Sequence, residues 1–425
     1  MNRKNLEKVI MLSLVLSSIG SGSAMAWEWG LNNSGGTVDI PESSKSFIVN
    51  SMTDKAIGIF NAQSGTLTAN HILLEVRSAN KEATGFFNDG GSTYTGKDIY
   101  MTVVGGTGDY MVQGIANQST GADGTSKFAA GDIRMDLTGY GSEIYGIING
   151  SHGTNGNNAV DFKAGDIIIE ANNDGNVIGI TNKNGTNGGS TFSADNVSID
   201  ASGKWFMAGI ENQTSNQMDL KNVYINLIKK ENGVMYGVLN TGVDFKSERL
   251  SILLDNDKGT DKTIGIDVGG YKTIINDDLN LRIIGNANSN VIGVKGEAQV
   301  AGNVYADLSG GKNVTGIHGT ANIDGSVDMK INSLGSAYGI NAGQVTVGHN
   351  MNMDITGKDG VVAGISSSDA VTVAGNFNVN IHDTNAPDRM AAVIGTASTG
   401  TMINIGGLQN NINVEGSSDF AEGFF

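Results

Sequence analysis

Carboxylates recur at one polar position of this sequence, within short segments where apolar and polar residues alternate. Ile133-Arg134-Met135-Asp136-Leu137 is an example of such a segment. Six segments carry an acidic residue at this position: Glu75, Asp136, Glu170, Asp200, Asp307 and Asp354. Carboxylates about 5 Å apart on neighbouring strands can bind Ca²⁺ or act as acid and nucleophile in glycoside cleavage. A solvated polar face is the alternative, because other segments have uncharged or basic residues at this position: Thr102, Asn226, Arg282 and Lys330.

Asparagines form a second candidate set, because one stands three residues after a glycine in seven consecutive repeats. The seven are Asn61, Asn88, Asn117, Asn149, Asn182, Asn212 and Asn240. Stacked side-chain amides hydrogen-bond along a ladder, and asparagine tolerates turn geometry. We therefore expect a structural asparagine ladder. The alternative is a polar stripe that binds a glycan or a partner protein.

No other motif supplies catalytic, cofactor-binding or metal-ligating chemistry. The five histidines lie far apart and do not recur at one repeat position: His71, His152, His318, His349 and His382. No zinc-ligand spacing, phosphate-binding loop or nucleophile elbow is present. We therefore expect no catalytic residue, no cofactor and no metal, and a protein that is not an enzyme.

The elements that position these side chains are marked by a recurring glycine phrase, such as Ile144-Tyr145-Gly146-Ile147-Ile148-Asn149. Fourteen such glycines occur at separations of 23 to 33 residues: Gly58, Gly85, Gly114, Gly146, Gly179, Gly209, Gly237, Gly265, Gly293, Gly316, Gly339, Gly364, Gly395 and Gly423. A period of this kind indicates a stacked array. Apolar residues two before and one after the glycine both face inward. We therefore expect a bulge there, with glycine supplying an unusual dihedral angle.

Each repeat comprises the glycine phrase, a short second extended segment and a clearly alternating third segment. The turns between the second and third segments contain Gly-Asp, Asp-Asn or Gly-Asn, which tolerate the left-handed conformation. Three short strands per coil of about 28 residues predict an all-β fold, a right-handed parallel β-helix (solenoid). We assign residues 27–50 to an N-terminal cap and residues 51–425 to β-helix repeats.

The first 26 residues have the features of a signal peptide. Arg3, Lys4 and Lys8 precede an apolar run over residues 9–19, and Ala24-Met25-Ala26 is a small-x-small cleavage site. The apolar run is shorter than the roughly 20 residues that a membrane-spanning helix needs. We therefore expect an exported chain that begins at residue 27.

Charge and cysteine content narrow the class of partner. The net charge is −16, and removal of residues 1–26, with three cations and one anion, takes it to about −18. An acidic surface argues against nucleic acid and against anionic lipid as partners. The chain has no cysteine, which excludes a disulfide framework for an exported protein.

The combination of signal peptide, acidic cysteine-free composition and irregular three-strand repeats resembles the passenger region of an autotransporter (type V secretion) of a Gram-negative bacterium. The resemblance rests on the Gly-Ile-x-Asn phrases and the alternating strands over residues 1–425. It implies a passenger that crosses the outer membrane, folds outside and is anchored by a C-terminal translocator barrel. The sequence ends in mid-phrase, so we expect the natural polypeptide to continue beyond residue 425 into that outer-membrane barrel.

The resemblance also implies a non-catalytic adhesin or structural stalk, secreted or at the cell surface, which binds a host or bacterial surface glycan or protein. Loops at residues 151–158 and 182–189 are candidates for these contacts. The alternative from another class is a β-helical polysaccharide-degrading enzyme, a lyase or glycoside hydrolase. It would need a carboxylate or basic cluster on adjacent coils.

Overall fold

The computed structural model describes residues 27–41, 43–120, 124–150, 158–184, 188–383, 388–395, 402–416 and 421–424. They form an all-β parallel β-solenoid of about 13 turns with coils of about 28 residues, which confirms the predicted fold class. Strands pair in parallel with the equivalent strands one coil further along. The described ranges contain no helix. Nothing in those ranges therefore forms a helix of the length and apolarity that a membrane span requires.

The 36 strands, numbered along the chain, line three faces of the solenoid, which we call the glycine-phrase, second and third sheets, and strands that turn a corner join the three into one hydrogen-bonded sheet. Strands of the glycine phrase alone are β1 (Trp27–Ser34), β4 (Lys55–Ala62), β7 (Ala83–Asn88), β14 (Asn176–Lys183), β16 (Met207–Gln213), β18 (Met235–Asn240), β24 (Asn313–His318), β27 (Ala337–Ala342), β30 (Val361–Ser367), β33 (Arg389–Gly395) and β36 (Ala421–Phe424). Strands of the second segment are β2 (Thr37–Ile40), β5 (Thr66–Ala69), β8 (Thr93–Gly96), β10 (Lys127–Ala129), β12 (Asp161–Lys163), β25 (Ala321–Ile323), β28 (Val345–Val347), β31 (Val371–Val373) and β34 (Ile403–Ile405). Strands of the third segment are β3 (Lys45–Ser51), β6 (Ile72–Ser78), β13 (Ile167–Asn173), β21 (Leu279–Ile284), β23 (Val304–Ser309), β26 (Val327–Asn332), β29 (Met351–Gly357), β32 (Phe377–Asp383) and β35 (Asn411–Glu415).

In the middle of the chain, neighbouring segments merge into single long strands. The third segment continues into the next glycine phrase in β9 (Ile99–Asn117) and β11 (Ile133–Asn149). The second and third segments merge in β15 (Thr191–Gly203), β17 (Met218–Lys229) and β19 (Phe245–Asp255). The glycine phrase and second segment merge in β20 (Thr263–Ile275) and β22 (Asn290–Val300).

The segment expected to be an N-terminal cap has the same three-strand form as the coils that follow it. Strands β1, β2 and β3 pair in parallel with β4, β5 and β6. Residues 27–51 are therefore a coil of the solenoid. The two tryptophans of this segment made it look distinct, although its hydrogen-bonding register is that of the later coils.

Apolar side chains from all three sheets form one continuous core along the solenoid. In the second sheet, aromatic rings stack from coil to coil. The Phe128 and Phe162 rings lie 5.0 Å apart and nearly parallel, and the Phe162 and Phe192 rings lie 4.7 Å apart. Each fully buried side chain of this size contributes roughly 1.5–3 kcal/mol of transfer free energy. Repetition of these columns, without cysteine, holds the coils together.

The alternation of side chains reverses at the glycine, as the spacing of the apolar columns predicts. Ile144 and Ile147, two before and one after Gly146, both belong to the main core. Tyr145 and Ile148 belong to a separate cluster on the other face of the sheet. The paired residues continue on both sides of the glycine, while the glycine itself is left out of the ladder. The strand therefore has an irregularity at this position.

Close backbone approach, not an unusual dihedral angle, explains the glycine. We expected an unusual dihedral angle at these glycines, but none of the described glycines in this column has a positive φ. A Cβ atom at Gly146 would lie 2.4 Å from the carbonyl oxygen of Gly179 and 2.8 Å from Cδ1 of Ile169. The same approach, 2.4–2.7 Å, recurs from Gly30 to Gly364. A side chain is excluded because the next coil's backbone occupies its space.

The strand register changes the membership of the predicted glycine column near both ends. Ala363 and Ile365 pair with Ala391 and Val393, so Ala392 occupies the position that we had assigned to Gly395. Gly395 instead pairs with Ser367. At the other end, Gly30 belongs to the column, although the sequence analysis did not include it.

Candidate functional site

The seven predicted asparagines lie in one column inside the solenoid. Each Nδ2 donates to the Oδ1 of the asparagine one coil further along, over 2.7–2.9 Å from Asn61 to Asn240. Many also donate to a backbone carbonyl of the second sheet, as Asn149 does to Thr191 over 2.7 Å. The amides therefore point in the same direction and connect the glycine-phrase sheet to the second sheet.

This column cannot contact a ligand in the folded chain, because its side chains are 0–1% exposed. A polar stripe that binds a glycan or a partner protein would have to be exposed, and this column is not. Asn33 adds an eighth member, donating to Asn61 over 2.8 Å. Sequence analysis missed it because the phrase Gly30-Leu31-Asn32-Asn33 fell within the expected cap. After Asn240, whose Nδ2 donates to the carbonyl of Val243, the next coil places Val268 in the column and the ladder ends.

A second apolar layer covers the outer face of the glycine-phrase sheet, and sequence reasoning did not predict it. It consists of the residues immediately before the glycine and two after it. Tyr145, Ile148, Ile178 and Ala208 form one cluster, each at most 6% exposed, with Phe206 and Tyr236 packed against it. A similar cluster near the C-terminal end contains Ala363, Ala391 and Ile394. The tyrosines before the glycines were visible in the sequence, but their burial on an outward face was not.

Turn residues before the third segment form another ladder, along the surface. The backbone N–H of Asp132 donates to Oδ1 of Asp98 over 3.1 Å, and that of Asp166 donates to Oδ1 of Asp132 over 3.0 Å. Asp278 accepts in the same way from the backbone N–H of Asn303 over 2.8 Å. These side chains act as acceptors for the next coil, and they do not have the left-handed conformation expected of them.

One corner of the solenoid contains a lysine that is only 2% exposed, Lys229. Its Nζ donates to the carbonyl of Val234 over 2.8 Å and to the carbonyl of Trp205. Burial lowers the pKa of Lys229 to about 8, against a smaller opposing effect of Asp261. Because the equivalent residue one coil earlier is Gly203, nothing in the repeat pattern indicated a buried cation here.

The carboxylate column lies on the outer face of the third sheet. Asp136, Glu170 and Asp200 stand directly opposite one another on adjacent strands. Two of them are occupied by neighbours: Arg134 Nη2 lies 2.7 Å from Glu170 Oε1, and Asn226 Nδ2 donates to Asp200 over 3.2 Å. These three carboxylates form part of a mixed, solvated polar row.

The other predicted carboxylates are dispersed along the same row. Glu75 stands opposite Thr102, and Asp307 is separated from Asp354 by Lys330. In the part of the chain that the structure describes, no three His, Cys, Asp or Glu side chains are placed to hold a metal ion.

A shallow concavity of about 470 Å³ interrupts this outer face between β17 and β26. Tyr224 and Tyr305, which are 43% and 44% exposed, lie in one row of outward side chains, separated by Ser251 and Asn280. The adjacent row supplies charged side chains on successive coils, in the order Arg282, Asp307 and Lys330. Sequence reasoning placed Arg282, Asp307 and Lys330 at one polar position but did not consider the outward position two residues earlier, which holds Tyr224 and Tyr305.

The side chains in the concavity are available for binding. Among the described residues, Arg282, Asp307 and Lys330 make no ion pair or side-chain hydrogen bond, although they lie on neighbouring strands. Elsewhere on the same sheet, side chains on neighbouring strands do pair, as Arg134 and Glu170 do over 2.7 Å. Tyr224 and Tyr305 have no packing partner among the aromatic rings of the described chain.

Of the two loops expected to make contacts, 151–158 lies outside the described residues except for residue 158, and 182–189 lies outside them only over residues 185–187. The fold and the outer face define the class of this protein as a parallel β-solenoid with an internal asparagine ladder. Neither a protein-family model, nor a curated protein, nor a solved structure matches the chain.

Proposed function

We propose that this solenoid is the passenger of an autotransporter and acts as a non-catalytic adhesin or stalk, secreted or at the cell surface. The observation that carries the proposal is the outer face of the third sheet, which presents polar and charged side chains from successive coils and exposed tyrosines from some of them. The glycine column and asparagine ladder fix the spacing of these coils. A rigid array of repeated weak contacts gains strength from multivalency.

The architecture suits a chain that folds after crossing a membrane. Each coil contacts only its neighbours, so folding can proceed from one end without long-range closure. No disulfide has to form, because the chain has no cysteine. Export through residues 1–26 and attachment through a C-terminal outer-membrane barrel remain parts of this proposal.

The proposal is tested by comparing cells that carry the full gene with a deletion strain. We expect the expressing cells to aggregate or to bind at least one of three surfaces: epithelial, bacterial or abiotic. The purified chain, added in solution, should compete with that binding. Equal behaviour of the two strains on all three surfaces would remove the adhesin function.

A polysaccharide-degrading enzyme is the second candidate, favoured by the juxtaposition of Asp136, Glu170 and Asp200 on adjacent strands. Two nearby carboxylates can serve as acid and nucleophile or base in glycoside cleavage. Purified protein would be incubated with a broad glycan panel, beside Asp136→Ala and Asp200→Ala variants. Product formation that is lost in both variants would favour the enzyme, and no product from the parent chain would eliminate it.

A further inference from the structure

We propose that the concavity between Tyr224 and Tyr305 binds a neutral oligosaccharide. This inference rests on the proposed adhesin function and names the class of ligand for it. The concavity extends over five coils, from β17 to β26. At a strand spacing of about 4.8 Å this corresponds to roughly 19 Å, the length of a short oligosaccharide.

The aromatic rings supply two stacking surfaces at a fixed separation. Tyr224 and Tyr305 lie three coils apart in the same row, about 14 Å along the solenoid axis. An aromatic ring has a negative face, which attracts the C–H groups on the face of a pyranose ring. Within the row of the two rings, only the small side chains of Ser251 and Asn280 lie between them, so sugar rings can approach the sheet along this row.

The charged row matches a ligand that both donates and accepts hydrogen bonds. Arg282 and Lys330 can donate to hydroxyl oxygens, and Asp307 can accept from hydroxyl groups. Asp328, which also lines the concavity, brings the local charge to zero. Sugar hydroxyl groups need both kinds of partner, and charge-assisted hydrogen bonds of this type are the stronger ones.

The charge pattern argues against other classes of ligand. An anionic polymer would face two carboxylates here, on a chain with a net charge of −16. A protein partner requires an interface centre depleted of charged side chains, whereas four charged side chains line this concavity. A neutral polyhydroxyl ligand meets neither objection.

The experiment uses the full chain and an array of immobilised glucose, mannose and galactose oligosaccharides, with oligo-uronates as a second arm. Variants Tyr224→Ser and Tyr305→Ser are compared with Tyr100→Ser. Tyr100 is a matched control because it belongs to the same outward row, is 48% exposed and lies outside the concavity. We expect each concavity variant to weaken neutral-oligosaccharide binding about tenfold or more, as loss of an aromatic anchor does, and the control to retain it.

Three results would overturn the inference: no binding of neutral oligosaccharides, binding of uronates alone, or an equal loss with Tyr100→Ser. Cell adhesion is measured in parallel, which separates this inference from the proposed function. Adhesion that survives Tyr305→Ser would contradict only the glycan site. Absence of adhesion by the parent chain would contradict the proposed function.

Discussion

Replacement of one central ladder asparagine, Asn149→Ala, should destabilise the solenoid locally and strongly. The substitution leaves two buried polar groups, one N–H of Asn117 and Oδ1 of Asn182, and the part-buried carbonyl of Thr191 without their partner. Each orphaned buried group costs about 1–3 kcal/mol, and neighbouring groups relax together, so we expect a total of about 3–5 kcal/mol.

Hydrogen exchange read out by mass spectrometry is the appropriate assay, because a long solenoid need not unfold in a single step. A local loss of about 3 kcal/mol corresponds to exchange that is roughly 100-fold faster in the affected coils. Peptides from residues 110–215 should therefore exchange faster, while peptides beyond residue 300 should not change. Chemical denaturation would show whether the substitution also destabilises the solenoid as a whole.

Asn222→Ala is the matched control for this experiment. Asn222 also donates its side-chain amide one coil along the solenoid, to Asn196 over 2.7 Å, but it lies exposed on the surface. Water replaces its partner, so the change in stability should stay within about 0.5 kcal/mol. If Asn149→Ala cost no more than this control, the ladder would not be the stabilising element that its burial indicates.

Three further predictions concern buried positions and can be checked by denaturation of purified protein. Tyr94→Phe should leave stability unchanged or raise it by about 1 kcal/mol, because the buried hydroxyl has no hydrogen-bond partner. A clear loss of stability would contradict this, since it would show that the hydroxyl does have a partner. Gly146→Ala should cost about 2–3 kcal/mol or more, because Cβ would meet the carbonyl oxygen of Gly179, whereas Gly270→Ala, with open space around it, should be neutral. The folded-state pKa of Lys229 is about 8 and its ordinary value is 10.5, so the charged form is disfavoured in the folded chain. Stability should therefore rise by up to about 3 kcal/mol from pH 8 to 10.5, a rise that Lys229→Met should lack.

The repeats predicted the fold class and the asparagine column because both depend on local spacing. A glycine that recurs between inward-facing residues also predicts the reversal of alternation that β11 shows. Spacing cannot distinguish a glycine required for its φ angle from one required for close approach, so the reason given for Gly146 was wrong. Gly395 was misplaced because alanine also fits the column, and Ala392 occupies it.

The concavity was not predicted, although the alternating segments had already placed Arg282, Asp307 and Lys330 at one polar position. Tyr224 and Tyr305 are 81 residues apart, and the three coils between them have lengths of 25 to 29 residues. The two tyrosines stand two residues before Asn226 and Asp307, at a second outward position that the sequence analysis did not follow, and spacing alone does not show that this face is concave. The buried outer layer was missed for a related reason, since an outward side chain is normally expected to be exposed.

The features that stabilise the solenoid and the proposed binding concavity lie in different parts of the chain. The asparagine ladder extends from Asn33 to Asn240, and the stacked phenylalanine rings lie within the same half. The concavity begins at Tyr224, where the ladder is about to end, and extends into coils that have neither feature. Substitutions in its outward row remove no internal hydrogen bond, so they should change binding without changing the core. A ladder substitution should have the opposite effect. It should loosen the N-terminal coils, while the apolar columns beneath Tyr224 and Tyr305 still hold those two residues at the same spacing.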